Sequence, residues 1–275
     1  MKKILALVTI LAMVFSFAAC GKANTSSDAS NTNNAKKETI VIGYTEYAPM
    51  NFFDEDGKTL IGFDTDLAKA VFGNLGYDVH FQLIEWGNKY TDLNSGTIDC
   101  IWNGFTCNSA DDDGIQRKDK VDFSYNYMEN RQVIVAKKDS KITKADDLKG
   151  KTAAVEDGSA GAEYAATFDK VTVKNCTQQT DCLMEVNALT ADFAVLDAQL
   201  AKSYCGKGNY KDLVIIEDLS SDVEYYAIGF KKGSDLTAKV NAELVKLAAD
   251  GTIKKIAEKY DVLNTTILDY SDQAK

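Results

Sequence analysis

Strand-like and helix-like segments alternate in two separate runs along this 275-residue chain, and that double alternation limits its fold more than any other feature. The first run opens with the β-branched segment Thr39–Gly43, followed by turn chemistry at Asp54–Lys58, where Asp56-Gly57 sits between apolar stretches. Leu67, Val71, Phe72 and Leu75 then fall on one helical face, with Asp64 and Asp66 at its positive end and Gly76 at its stop. Val79–Leu83 reads as a strand, Trp86–Leu93 as a helix and Ile98–Trp102 as a further strand. The second run begins after Gly150. Strands at Thr152–Val155, Val171–Val173 and Phe193–Leu196 alternate there with helices at Ala160–Phe168, Thr180–Leu189 and Ala198–Cys205. Such alternation predicts an α/β fold with parallel strands. Tyr125–Lys138 joins the two runs, Tyr225–Phe230 (YYAIGF) carries the chain back, and helices at Leu236–Ala249 and Thr252–Lys259 follow. The expected molecule has two lobes, 38–130 plus 226–270 and 131–225, linked by two crossover strands suited to hinge closure.

The N-terminal residues have a different character. Lys2 and Lys3 precede Ile4–Ala19, which carries no charge, and Phe17-Ala18-Ala19 places small residues before Cys20. That is the layout of a cleaved signal peptide over 1–19. The uncharged stretch is shorter than the ~20 residues that span a bilayer, and a retained anchor helix is the alternative. The ending resembles a bacterial lipobox, with Phe17 where Leu is usual, and implies lipidation of Cys20. A diacylated cysteine anchors a protein stably, so the expected location is the outer face of the cytoplasmic membrane. The remainder of 20–37 contains no large apolar residue and reads as a flexible tether.

Without Lys2 and Lys3 the chain carries 29 basic and 41 acidic side chains, a net charge of −12. That balance argues against nucleic acid or anionic lipid headgroups as partners. Beyond Cys20 the cysteines are Cys100, Cys107, Cys176, Cys182 and Cys205, an odd set with no CxxC pair, which leaves at least one free thiol. One disulfide is conceivable, without a defined pair. His80 is the sole histidine, so no metal site is expected.

The ordered set Tyr47–Phe52, Asp56-Gly57, Gly62–Ala68, Trp86, Leu93–Asp99, Gly104–Thr106, Arg117, Val121–Ser124, Leu148–Lys151, Gly158-Ser159, Asp192–Asp197 and Ala249–Thr252 resembles the polar amino-acid-binding proteins of ABC importers, bacterial solute-binding protein family 3. The resemblance spans about residues 39–265. It implies a two-lobe, type II periplasmic-binding-protein-like α/β fold and a monomer that passes an amino acid to an ABC permease, with no cofactor and no catalysis.

Physical chemistry says what such a site requires. A buried carboxylate and a buried ammonium must each be paired and hydrogen-bonded. A planar bidentate cation suits the carboxylate, and only Arg117 and Arg131 exist in the chain. By resemblance Arg117 takes the carboxylate and Asp197, at the end of a strand, takes the ammonium; an ordinary N-cap is the alternative for Asp197. Thr106, Asn103 and Gly104 would surround the charged end. Residues 108–114 form an insertion that brings three carboxylates to the cleft mouth. Ser159 and Ala160 open a helix whose N–H groups could bind an anion, or serve as a plain cap. Tyr47 and Trp86 would wall the ligand's side chain. Glu46 and Glu156 would favour a cationic side chain, while glutamine, histidine and cystine stay open. A receptor's sensing domain is the alternative class and would need a downstream signalling segment. A dehydratase-like enzyme on the same fold is a further alternative, yet no GxSxG, HExxH or P-loop is present.

Overall fold

The structure is a computed structural model that describes residues 37–274. The expected signal peptide, Cys20 and nearly all of the tether lie outside the described residues. Among those described, no helix is long and apolar enough to cross a membrane.

The first region comprises β1 (Thr39–Tyr44), β2 (Phe52–Phe53), β3 (Leu60–Ile61), α1 (Phe63–Asn74), β4 (Asp78–Leu83), α2 (Lys89–Ser95), β5 (Cys100–Ile101), α3 (Arg117–Lys120) and β6 (Asp122–Phe123). A connecting strand, β7 (Met128–Asn130), leads into β8 (Gln132–Lys137), β9 (Thr152–Glu156), α4 (Ala160–Ala166), β10 (Thr172–Cys176), α5 (Gln179–Asn187), β11 (Phe193–Asp197), α6 (Ala198–Tyr204) and β12 (Leu213–Ile216). The chain returns through β13 (Glu224–Tyr226) and β14 (Gly229–Phe230) to α7 (Leu236–Ala249) and α8 (Thr252–Lys259).

Two five-stranded sheets result, ordered β4-β1-β5-β14-β6 and β10-β9-β11-β8-β12. The helix-connected strands β4, β1 and β5 are parallel, as are β10, β9 and β11. The expectation of parallel sheets needs one correction. In the first sheet β14 runs antiparallel to β5 and β6, and in the second β8 runs antiparallel to β11 and β12. Both strands arrive straight from the connecting segments, without a crossover helix to restore direction.

Between the sheets β7 and β13 pair antiparallel, with Asn130 opposite Glu224. The two connections therefore form one ribbon, which gives the link between the lobes a defined register. In the second lobe β8 is buried along nearly its whole length because helices cover both faces of that sheet. In the first, Val240, Leu244 and Leu247 of α7 and Ile253 and Ala257 of α8 join the cluster containing Leu67, Val71 and Phe72 of α1. Asn74 Nδ2 donates to Glu243 Oε1 at 2.7 Å across the same contact. Burying each such side chain contributes roughly 1.5–3 kcal/mol, which secures the C-terminal helices to the first lobe.

Candidate functional site

One enclosed cavity lies between the lobes, lined by Trp86, Asn103, Gly104, Thr106 and Arg117 from the first and by Glu156, Ser159, Ala160, Gln179 and Asp197 from the second. Its free volume is about 10 Å³, room for roughly one water. An amino acid is larger, so the walls must separate to admit one.

The first-lobe wall is rigidly built. Gly104 adopts φ +56°, and a Cβ there would stand 2.8 Å from Tyr47 Cε1 and 3.1 Å from Tyr226 Cε2. Glycine alone fits both the left-handed backbone and the space. The Gly104 N–H donates to Asp64 Oδ2 at 2.9 Å, and the Tyr127 hydroxyl donates to the same oxygen at 2.9 Å. Asn103 Nδ2 donates to Thr45 O at 2.8 Å and Asn51 Oδ1 at 2.7 Å, while its Oδ1 accepts from Thr45 Oγ1. Trp86 is buried and packs edge-on against Phe105 with ring centroids 5.3 Å apart.

Arg117 opens α3 and is 1 % exposed. Its Nε donates to Asp111 Oδ1 at 2.8 Å and its Nη1 to Thr106 O at 3.2 Å. Nη2 reaches the other lobe, donating to Glu163 Oε1 at 3.1 Å and Gly158 O at 3.4 Å. Asp111 belongs to the 108–114 insertion, which folds back so that Arg117 N donates to Ser109 O. The insertion therefore orients the guanidinium, while Asp112 and Asp113 stay exposed. Burial opposes the Arg117 charge, but Glu163 and Asp111 carry its pKa upward overall. Lys89 is also buried and donates to Gly158 O at 2.9 Å. Burial, then Arg117, pushes its ammonium down to about 8.

On the second-lobe side Asp197 ends β11 and is buried. Its Oδ1 accepts from Asn130 Nδ2 at 2.7 Å and Gln132 Nε2 at 2.6 Å. Its Oδ2 accepts from Gln179 Nε2, and its backbone N–H donates to Gln179 Oε1 at 2.9 Å. Asn130 and Gln132 also donate to Glu224 Oε1, at 2.5 and 2.7 Å. Burial raises Asp197 against these hydrogen bonds, and burial followed by the Asp197 charge pushes Glu224 up to about 7. The same two causes push Glu156 up to about 8, and its Oε1 has no hydrogen-bond partner. Three buried carboxylates therefore cluster here, Glu156 and Asp197 in the cavity lining and Glu224 outside it, served mainly by neutral amides. Ser159 Oγ is engaged in capping α4, accepting from Ala162 N at 3.1 Å.

Two expected wall residues are not brought to the cavity lining. Tyr47 packs behind Gly104, with its hydroxyl 2.8 Å from that of Tyr226. Glu46 is half-buried and acts electrostatically on Tyr44 and Tyr204 instead. Gln179, Gln132, Asn130, Glu224 and Lys89 had not been singled out. Of these only Glu224 carried a signal, as an acid directly before the YYAIGF return segment.

A sequence profile of the bacterial extracellular solute-binding proteins, family 3, matches residues 40–262. The arginine-binding extracellular protein ArtP of Bacillus subtilis (strain 168) is 30% identical over 264 residues, covering 94% of this chain and 98% of that protein. The L-cystine-binding protein TcyA of the same organism is 29% identical over 273 residues, covering 94% of this chain and 97% of that protein. Among solved structures, the arginine-, lysine-, histidine-binding protein ArtJ of Geobacillus stearothermophilus superposes with a TM-score of 0.73 at 31% identity, covering 81% of this chain and 95% of that one. A lobe-to-lobe cavity, a buried arginine facing buried carboxylates and the profile match converge on one conclusion: this chain belongs to the bacterial extracellular solute-binding proteins, family 3.

Proposed function

We propose that this protein captures an amino acid with a cationic side chain and presents it to an ABC importer, holding the ligand between Arg117 and Asp197 as the lobes close. The observation that carries this reading is the group of three buried carboxylates, Glu156 and Asp197 in the cavity lining and Glu224 sharing the Asn130 and Gln132 donors with Asp197. Arg117 and Lys120 are already matched by Asp111 and Glu163, and Lys89 offsets one further charge. One ligand ammonium would answer Asp197, and a second cation would answer the remaining negative potential. The ligand carboxylate would take Arg117 Nη2 in place of Glu163 Oε1 or Gly158 O. In this reading Tyr47 supports Gly104 and contacts no ligand, and the closing ribbon joins lobes at 38–130 plus 226–270 and 131–225.

Thermal melting with L-arginine, L-lysine, L-glutamine and L-cystine tests the preference. A cationic ligand should raise Tm most, growing with concentration as RT ln(1 + [L]/Kd). A shift by glutamine or cystine alone would remove the cationic preference and leave the amino-acid site; incubation with the same compounds should show no turnover. The finer location is anchoring through Cys20, supported by Lys2, Lys3 and the small residues before the cysteine. Cys20→Ser should release the protein from membranes, and unchanged retention would argue for an uncleaved helix.

A further inference from the structure

The acceptors around the Arg117 side chain are not equally fixed. Its Nε donates to Asp111 Oδ1 at 2.8 Å, and Asp111 Oδ2 accepts from Lys120 Nζ at 2.8 Å. Nη1 donates to the Thr106 carbonyl at 3.2 Å, and the guanidinium lies over the Phe105 ring, 5.6 Å from its centroid. These contacts come from Arg117's own lobe and leave the Nη2 edge turned toward the other. There Gly158 O stands 3.4 Å away and Glu163 Oε1 3.1 Å away. Gly158 O is a backbone atom that also accepts from Lys89 Nζ at 2.9 Å, so it cannot withdraw unless the lobes part. Glu163 is held more loosely. It sits in the first turn of α4 with its side chain 23% exposed, and among the described residues Arg117 is its sole ion-pair partner. Burial lifts its carboxyl above the ordinary glutamate range in spite of Arg117, whereas Asp111, against its own burial, is held below the aspartate range by Arg117 and Lys120.

We infer that Glu163 is a specificity-determining residue: the protein's own carboxylate on Arg117 Nη2, which must swing out to solvent before a ligand carboxylate takes that seat. The inference rests on the reading that Arg117 receives an amino acid's carboxylate. A ligand that brings a carboxylate replaces one ion pair with another, so Glu163 subtracts from its affinity. A ligand without one leaves Glu163 in place and the buried guanidinium matched, so it escapes the penalty of an unpaired charge. Glu163 therefore narrows the preference of the site for an amino acid over the corresponding amine. The same ion pair ties the two lobes together and favours the closed arrangement before a ligand arrives.

Calorimetry on the intact protein with L-arginine and with agmatine, the same molecule without its carboxylate, tests the role. Glu163→Gln removes the charge, and Glu163→Ala also removes the acceptor. Each should lower Kd for L-arginine about two- to fivefold, the contribution of one partly exposed ion pair. Kd for agmatine should not fall. A residue that only supported the fold would move both ligands alike. Equal changes for the two ligands, or no gain for L-arginine in either variant, would overturn the Glu163 role and leave the Arg117 seat standing. A wild type that binds L-arginine no more tightly than agmatine would overturn the seat itself, and the Glu163 role with it. Small-angle scattering needs no ligand: both variants should have a larger radius of gyration than wild type, and equal radii would overturn the tie between the lobes.

Discussion

Asp197→Asn isolates charge from shape at the centre of the carboxylate group. Asp197 accepts from Asn130 and Gln132 through Oδ1 and from Gln179 through Oδ2. An asparagine can keep its oxygen toward Asn130 and Gln132, which turns its NH₂ toward the Gln179 amide. Gln179 cannot flip to accept it without giving up the Asp197 backbone N–H that its Oε1 now accepts. The folded state therefore loses about one hydrogen bond, ~0.5–1.5 kcal/mol. Relief from burying a carboxylate among Glu156 and Glu224 offsets part of that cost. Ligand-free stability should stay within ~1 kcal/mol of wild type, a Tm change of roughly 2–4 °C for a chain of this size. Binding responds differently, because a buried ligand ammonium would lose its counter-charge at a cost of ~3–5 kcal/mol. At about 1.4 kcal/mol per tenfold, Kd should rise by two to three and a half orders of magnitude. Calorimetry gives Kd, scanning calorimetry gives the ligand-free Tm, and small-angle scattering should show less compaction on ligand addition. A rise in Kd below about tenfold would refute the ammonium role. A large fall in ligand-free Tm would refute the hydrogen-bond bookkeeping.

Two further outcomes are expected. Arg117→Ala removes the partner of Asp111, Glu163, Thr106 O and Gly158 O at once; Kd should rise about a hundredfold or more and Tm should drop, and Arg117→Lys should recover little because its point charge cannot replace the fork. Near-native calorimetry for both variants would remove Arg117 from the site. Glu156 and Glu224, at about 8 and about 7, hold protons in the folded state that the unfolded chain sheds near 4.5. Their contribution to stability is full below that unfolded value and is lost as pH rises through 7 and 8, so ligand-free Tm should decline across this window. Glu156→Gln should flatten the decline, and a cationic ligand should bind more tightly as pH rises because it favours the ionised carboxylates. A wild type and Glu156→Gln with parallel Tm profiles would contradict the assignment.

Much of the architecture was legible before any coordinate, because hydrophobic periodicity is a local property. The apolar face at Leu67, Val71 and Phe72 reports the helix that buries it, and the β-branched runs report their strands. At Gly104 the left-handed backbone and the close neighbours Tyr47 and Tyr226 emerged only from the structure. Arg117 stood out by scarcity, one of two arginines in the chain, and Asp197 by its place at a strand end. Strand direction was not local. Nothing in the β8 or β14 sequence says that it arrives from the hinge ribbon without a crossover helix, so its antiparallel pairing had to come from the topology.

The cavity's composition shows the same division. The sequence by itself determined an α/β chain with an acidic balance, one arginine and one aspartate suited to an amino acid's two charges, and an insertion rich in carboxylates. Only the tertiary structure decided which acids gather around Asp197. Glu224 meets Asn130 across 94 residues and Gln132 across 92, Gln132 meets Asp197 across 65, and Glu46 turns away although it neighbours Tyr47. The physical reason is that a side chain's periodic position fixes the face of its own element, whereas convergence on one point depends on how distant elements pack. Burial then sets the chemistry: Glu156 and Glu224, ordinary acids in solution, are pushed up to about 8 and about 7 by burial and by the charge of Asp197 beside them.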